Sequence, residues 1–124
     1  MVASSFEGDH LLDRAFRHVV RHSVTEHQFV GFRESVGNDE TVWEAPGYEV
    51  PFVQVNRDNR LNGAELPYPE YHSNYDNVDL VKHDLLNEYF EVFKKVVMVL
   101  ETNVTMQRRF NGLIALSNPK YDLY

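Results

Sequence analysis

The residues best suited to chemistry lie between Leu66 and Asn77 of this 124-residue chain, in the run Leu66-Pro67-Tyr68-Pro69-Glu70-Tyr71-His72-Ser73-Asn74-Tyr75-Asp76-Asn77. A neutral imidazole can ligate a metal or exchange a proton near neutral pH, and here one histidine sits among tyrosines and carboxylates. Pro67 and Pro69 fix their own φ and push Leu66 and Tyr68 towards extended backbone. The spacing therefore predicts a stiff, extended approach that delivers His72 to a fixed position. Asp76 stands where an N-cap belongs, just ahead of an apolar pattern that begins at Val78. The competing reading is a surface loop with a solvated histidine.

A second candidate is the carboxylate pair Asp39-Glu40, in the turn Gly37-Asn38-Asp39-Glu40 after a strand-like stretch. Loops that leave strand ends build the ligand crevice of α/β sheets, so the pair could support a metal ligand or meet a substrate amine. It could equally be an ordinary acidic turn, since Asn and Asp favour turns through their own side-chain hydrogen bonds. His18 and His22 share one helix face at i, i+4, a spacing that lets two imidazoles reach one zinc. Val19 follows His18 where a metallopeptidase helix motif would carry its general-base Glu, so that motif is absent. His10, His27 and His83 have no local partners in the sequence and read as surface residues. There is no nucleophile elbow and no glycine-rich phosphate loop.

The elements that must position these groups are few. Asp9 precedes Leu11, Leu12, Ala15, Phe16, Val19 and Val20, an amphipathic helix of three to four turns capped by Asp9, with a basic last turn. Residues 27–34 read as a short strand with Gly31 at a bulge or close approach, and residues 48–55 as a second, irregular at Pro51. The longest element is a helix from Asn77 to about Glu101, with Val78, Val81, Leu85, Tyr89, Phe93, Val96, Val97 and Leu100 on one face. Its middle is apolar on nearly every side, which predicts burial against more than one neighbour. Residues 1–8 read as a loose lead-in and 102–124 as an irregular tail.

Composition bounds the rest. A length of 124 with 43% hydrophobic and 13% aromatic residues suits a single domain with a real core. The net charge of −7 argues against a nucleic-acid or anionic-membrane surface, and Arg14-Arg17-Arg21 and Arg108-Arg109 are too small to reverse it. With no cysteine there is neither a disulfide framework nor a thiolate metal site, which fits the cytoplasm. No apolar run is long enough to span a membrane, and residues 1–8 lack the pattern of a secretory signal. Two or three strands give such a long helix too little sheet to pack on. The order helix, strand, strand, helix is thus expected to be part of a larger α/β sheet or to complete itself by association.

With these residues assembled, the chain resembles the C-terminal half of a bacterial aminopeptidase-like zinc metallopeptidase, of the two-zinc aminopeptidase and glutaminyl cyclase superfamily. The likeness is carried by Gly37-Asn38-Asp39-Glu40, by Pro51-Phe52-Val53 and most specifically by Pro69-Glu70-Tyr71-His72-Ser73 followed by Asp76-Asn77 and Asp79-Leu80-Val81. Gly8-Asp9-His10-Leu11-Leu12-Asp13-Arg14-Ala15 is similar to the family's first helix here. The resemblance implies a partial phosphorylase/hydrolase-like α/β sandwich with a few strands and two main helices, in which residues 1–124 form the C-terminal half of a larger zinc peptidase-like domain. It implies hydrolysis of an N-terminal or amide bond in a peptide-like substrate, with a Glu activating a metal-bound water. His72 matches a zinc ligand, Asp39 a carboxylate that supports the site without binding metal, and Asp76, Tyr71 and Glu40 groups that support the loops. The family's other histidine ligand, bridging Asp and general-base Glu have no counterpart in these 124 residues. The chain is therefore expected to be inactive alone, needing an upstream half or self-association. The alternative is a non-catalytic scaffold that self-associates.

Overall fold

A computed structural model describes residues 1–35, 37, 39–57, 63–109, 111 and 120. The chain is α/β: β1 (Val2–Ala3), α1 (Leu11–Ser23), β2 (Phe29–Val30), α2 (Glu40–Trp43), β3 (Gln54–Val55), a 3-10 turn (Val78–Leu80) and α3 (His83–Glu101). The sheet order is β2-β1-β3. β1 pairs with β2 in parallel, Val2 opposite Phe29 and Ala3 opposite Val30. It pairs with β3 antiparallel, Val2 opposite Val55 and Ala3 opposite Gln54. β1–α1–β2 is thus a small crossover unit.

The central strand lies in the stretch expected to be a loose lead-in. Its two apolar residues are too few to show a period, and the serines that follow read as loop. Both strands that the sequence suggested are real but shrink to two residues each. Pro51 keeps the first part of the 48–55 stretch out of the sheet, because proline has no N–H to give the ladder.

α1 begins one residue later than expected. His10, not Asp9, is its N-cap: the ring Nδ1 accepts from Leu12 N at 3.2 Å, while the Asp13 carboxylate accepts from His10 N at 3.0 Å. This reciprocal pair is a capping box built from His and Asp. Asp13 also accepts from Ser5 N at 2.8 Å and Ser5 Oγ at 2.6 Å, and both residues are buried. One carboxylate therefore ties the exit of β1 to the start of α1. Between them Gly8 takes φ +73°, a left-handed conformation that glycine adopts without steric cost.

The core gathers Val2, Ala15, Phe16, Val19, Val20, Val92 and Val96, with Phe29, Val55, Val99 and Leu100 packed around them. α1 and α3 meet there, Phe16 and Phe93 edge to face at 5.3 Å. Tyr89 Oη donates to Val55 O at 2.9 Å and fastens α3 to the sheet edge.

The expected long helix is interrupted. Asn77, not Asp76, caps the first part, its side chain accepting from Asp79 N at 2.9 Å, and that part is one 3-10 turn. α3 proper starts at His83, and its N-cap Lys82 makes no side-chain cap bond. The buried stripe also differs. Val92 is buried in place of Val97, and Val78 is 82% exposed because it belongs to the separate turn. Val96 is covered by α1. Leu86, Phe90, Phe93 and Val97, spaced i, i+4, i+7, i+11, remain exposed and form a second apolar stripe.

Candidate functional site

The backbone runs out of β1 at Ala3 into Ser4-Ser5-Phe6-Glu7, and out of β2 at Val30 into Gly31-Phe32-Arg33. Because these two strands are adjacent and parallel, both segments emerge at the same end of the sheet. β3 runs the other way, so its lead-in at Pro51 arrives there too. These segments and α2 enclose a cleft of about 790 Å³. The position obeys the rule that ligands of α/β sheets bind beyond the carboxyl ends of the strands.

Its framework is hydrogen-bonded. Both Glu44 oxygens are used: Oε2 accepts from Phe6 N and Oε1 from Phe52 N, each at 2.6 Å. The end of α2 is thereby clamped between the exit of β1 and the approach to β3. Phe6 and Phe32 meet edge to face at 5.5 Å and form an apolar wall. His10, the cap of α1, also lines the cleft.

Its charge is mainly acidic. Glu7, Glu40, Glu44 and Glu49 line it against the single guanidinium of Arg33. Glu40 is buried, and its Oε1 lies 3.7 Å from Arg33 Nε. Arg33 and Glu49 both hold left-handed backbone, at φ 58° and 49°. Side chains with a Cβ adopt that region at a cost. The cleft thus combines carboxylates, an aromatic wall and conformational strain. Such a lining suits a ligand with a positively charged or hydrogen-bond-donating head beside an apolar group.

The expected site residues fall in two places. Asp39 and Glu40 start α2. Asp39 is exposed and makes no side-chain cap bond, so Glu40 is the carboxylate that reaches the cleft. His72, Tyr71 and Asp76 lie in the loop before the 3-10 turn. The extended approach expected from the prolines is absent, since residues 65–73 form successive bends and turns. Local bonds fix the loop instead: Ser73 N donates to Glu70 O at 3.1 Å, Ser73 Oγ to the same carbonyl at 2.7 Å, and Tyr68 Oη to Asp76 Oδ2 at 2.7 Å. The Tyr71 ring stacks on His72 at 3.8 Å. His72 itself is exposed and takes φ 57°. Among the described residues, the only non-glycine positions with positive φ are Arg33, Glu49 and His72. The Asp76 carboxylate beside it, with burial adding to the effect, holds the Tyr68 phenol above its ordinary pKa.

Sequence reasoning did not find Phe6, Glu7, Arg33, Glu44 or Glu49. Their approach depends on strand order, which a two-residue strand does not advertise. His10 and His27, read as lacking partners, both have them: His27 Nδ1 bonds Val24 O at 2.8 Å. His18 and His22 do share a face, ring centroids 4.7 Å apart. Among the described residues no three His, Cys, Asp or Glu side chains come together as a metal site. A zinc centre normally needs at least three protein ligands, so the described residues do not fit a zinc ion on their own.

Comparison with known proteins places the chain. The family model DUF4910, a domain of unknown function, matches residues 1–103. The chain belongs to the DUF4910 family. Among solved structures, the DUF4910 chain superposes on a candidate peptidase of Clostridium acetobutylicum with a TM-score of 0.71 at 17% sequence identity. The match covers 97% of this chain and 28% of that one, so the DUF4910 chain spans little more than a quarter of that protein's length. The likeness establishes a shared α/β fold. No curated protein matches the sequence.

Proposed function

We propose that this DUF4910 chain is the cleft-bearing part of a peptidase-like hydrolase that acts on an amide bond of a peptide-like substrate. The reading is supported by one observation: a carboxylate-lined, strained cleft lies at the carboxyl ends of the parallel strands, in a fold shared with a candidate peptidase. In this reading residues 1–124 work as the C-terminal half of a larger domain. Glu7 and Glu49 receive the amino group of the substrate, and Phe6 and Phe32 its first side chain. His72 would be one zinc donor, with Asp39 a supporting carboxylate, and the remaining donors would come from outside this chain.

The test uses the longest natural chain that contains this domain, supplied with zinc and assayed on aminoacyl reporter amides. Turnover that falls when His72 or Glu49 is replaced supports the reading. Full activity in both variants removes it. A second reading, a non-catalytic scaffold that self-associates, is favoured by the exposed stripe Leu86, Phe90, Phe93 and Val97. Absence of any amide hydrolysis together with a stable dimer would select it.

A further inference from the structure

α1 buries one side in the core and turns the other outward. The outward side carries Arg14, Arg17, His18, Arg21 and His22, which line a depression of about 380 Å³ that shares no residue with the acidic cleft. At 1.5 Å per residue the stripe runs about 12 Å along the helix. Apart from the two histidines it is made only of arginines, in a chain with 12 Lys and Arg against 19 Asp and Glu.

Three features separate it from an ordinary solvated face. Three cations elsewhere in the chain stand beside carboxylates, Lys94 with Glu91, Arg57 with Glu88 and Arg33 with Glu40, while Lys95 on α3 donates to Ser23 Oγ at 3.1 Å. Among the described residues none of the five groups on α1 has such a partner within 4.0 Å. Arg17 donates to Gly8 O at 2.7 Å and Arg21 lies over the Phe29 ring at 5.3 Å, and neither contact neutralises charge. Secondly, Arg14/Arg17 and Arg17/Arg21 are like-charge neighbours at i+3 and i+4, an arrangement that destabilises an isolated helix. Thirdly, Arg14 occupies the first turn, where the helix dipole disfavours a cation. The basic residues of the last turn, Arg21 and His22, are accounted for by that dipole; Arg14 and Arg17 are not.

From this we infer that the outer face of α1 is a binding site for a phosphoryl anion, either inorganic phosphate or the phosphate group of a small monoester. A guanidinium fork matches two phosphate oxygens, and Arg14 and Arg21, two turns or about 10.5 Å apart on one face, can flank a tetrahedral anion from either side. The ligand would supply the countercharge that the fold omits. Arg14 and Arg21 are the exposed donors, with His18 and His22 beside them, while Arg17 stays anchored to Gly8 and contributes mainly field.

The test is calorimetric titration of inorganic phosphate into the 124-residue chain at fixed ionic strength in sodium chloride, with folding checked by circular dichroism. Saturable one-to-one binding is expected with a dissociation constant near or below about 1 mM. Arg14→Gln should weaken it severalfold, and Arg14→Gln/Arg21→Gln by about tenfold or more, since two charge-assisted forks are lost. Lys94→Gln, on α3, should bind as the parent does. If the double variant melts early because the Phe29 contact is gone, Arg14→Gln alone decides. A parallel titration with glycerol 1-phosphate shows which source is preferred: equal affinity identifies the monoester group, weaker affinity the free anion, and either supports a phosphoryl site. No saturable phosphate binding, or unchanged binding in Arg14→Gln, overturns the proposal.

Discussion

Asp13 is the residue whose removal should cost this fold most for its size. Its carboxylate accepts three hydrogen bonds, from Ser5 N at 2.8 Å, Ser5 Oγ at 2.6 Å and His10 N at 3.0 Å, and is 2% exposed. A bond to a charged acceptor contributes about 1.5–3 kcal/mol net, and a buried donor left without a partner costs about 1–3 kcal/mol. The three are not additive, because they share one acceptor group. We expect Asp13→Ala to destabilise by about 3–5 kcal/mol, a large part of the ~5–15 kcal/mol typical of a domain. At this chain length each kcal/mol lowers the melting temperature by about 3–6 °C, so a fall of ~10–30 °C is expected. Asp13→Asn keeps the shape but turns an amide N–H towards a donor, and should cost about 1–3 kcal/mol. Ser5→Ala removes one of the bonds and should cost about 1.5–3 kcal/mol in the parent but almost nothing in the Asp13→Ala background. Urea melts of the parent, the two alanine variants and their double variant measure this cycle, and a fifth melt measures Asp13→Asn. Loss of less than about 1 kcal/mol in Asp13→Ala, with no coupling to Ser5, would falsify the lock between β1 and α1.

Three further outcomes are expected. In the longest natural chain carrying this domain, His72→Ala should nearly abolish amide hydrolysis and Asp76→Asn should reduce it about 10–100-fold, as changes to groups that position a ligand do; His83→Ala should change little, and parental turnover in His72→Ala would leave the histidine a surface residue. The Tyr68 phenol is held above its ordinary pKa in the fold by the bond to Asp76, so the unfolded chain holds fewer protons at alkaline pH. The stability this supplies is complete below pH about 10 and fades as pH rises through the folded value; absorbance titration should show Tyr68→Phe lacking one late-ionising phenol, whereas an unchanged curve would refute the bond. Finally, the isolated chain should self-associate through the outer stripe of α3, and Phe90→Glu/Val97→Glu should return it to monomer by light scattering; a strictly monomeric parent at high concentration would contradict this.

The two long helices were legible because their apolar residues repeat over three or more turns. The apolar period marks α1 to within a residue or two, while the cap is hidden because histidine is an unusual N-cap and Asp9, a common one, stands beside it. α3 was overextended at its start: Val78 and Val81 continue the helical period, yet Asn77 diverts the chain into a 3-10 turn. Its own period does not fix which side is covered, since whether Val92 or Val97 turns inward depends on where α1 lies. The α/β class was readable from the order of elements. β1 was not, because pairing of Val2-Ala3 with segments about 27 and 53 residues away leaves no local trace. The cleft followed it out of sight. Glu40 was noticed for its neighbour Asp39, while Phe6, Arg33 and Glu49 are ordinary residues until strand order brings them together.

That strand order also bears on how the chain acquires its fold. The middle strand of the sheet lies at residues 2–3, but neither flank can form until residues 29–30 and 54–55 are available. During synthesis at roughly 5–20 residues per second, β1 therefore stays unpaired on both edges for several seconds while α1 can already coil. The capped helix and its carboxylate grip on Ser5 give this waiting segment a local anchor. Refolding kinetics should accordingly show helix signal before the burial of Val2, with sheet closure as the slow step.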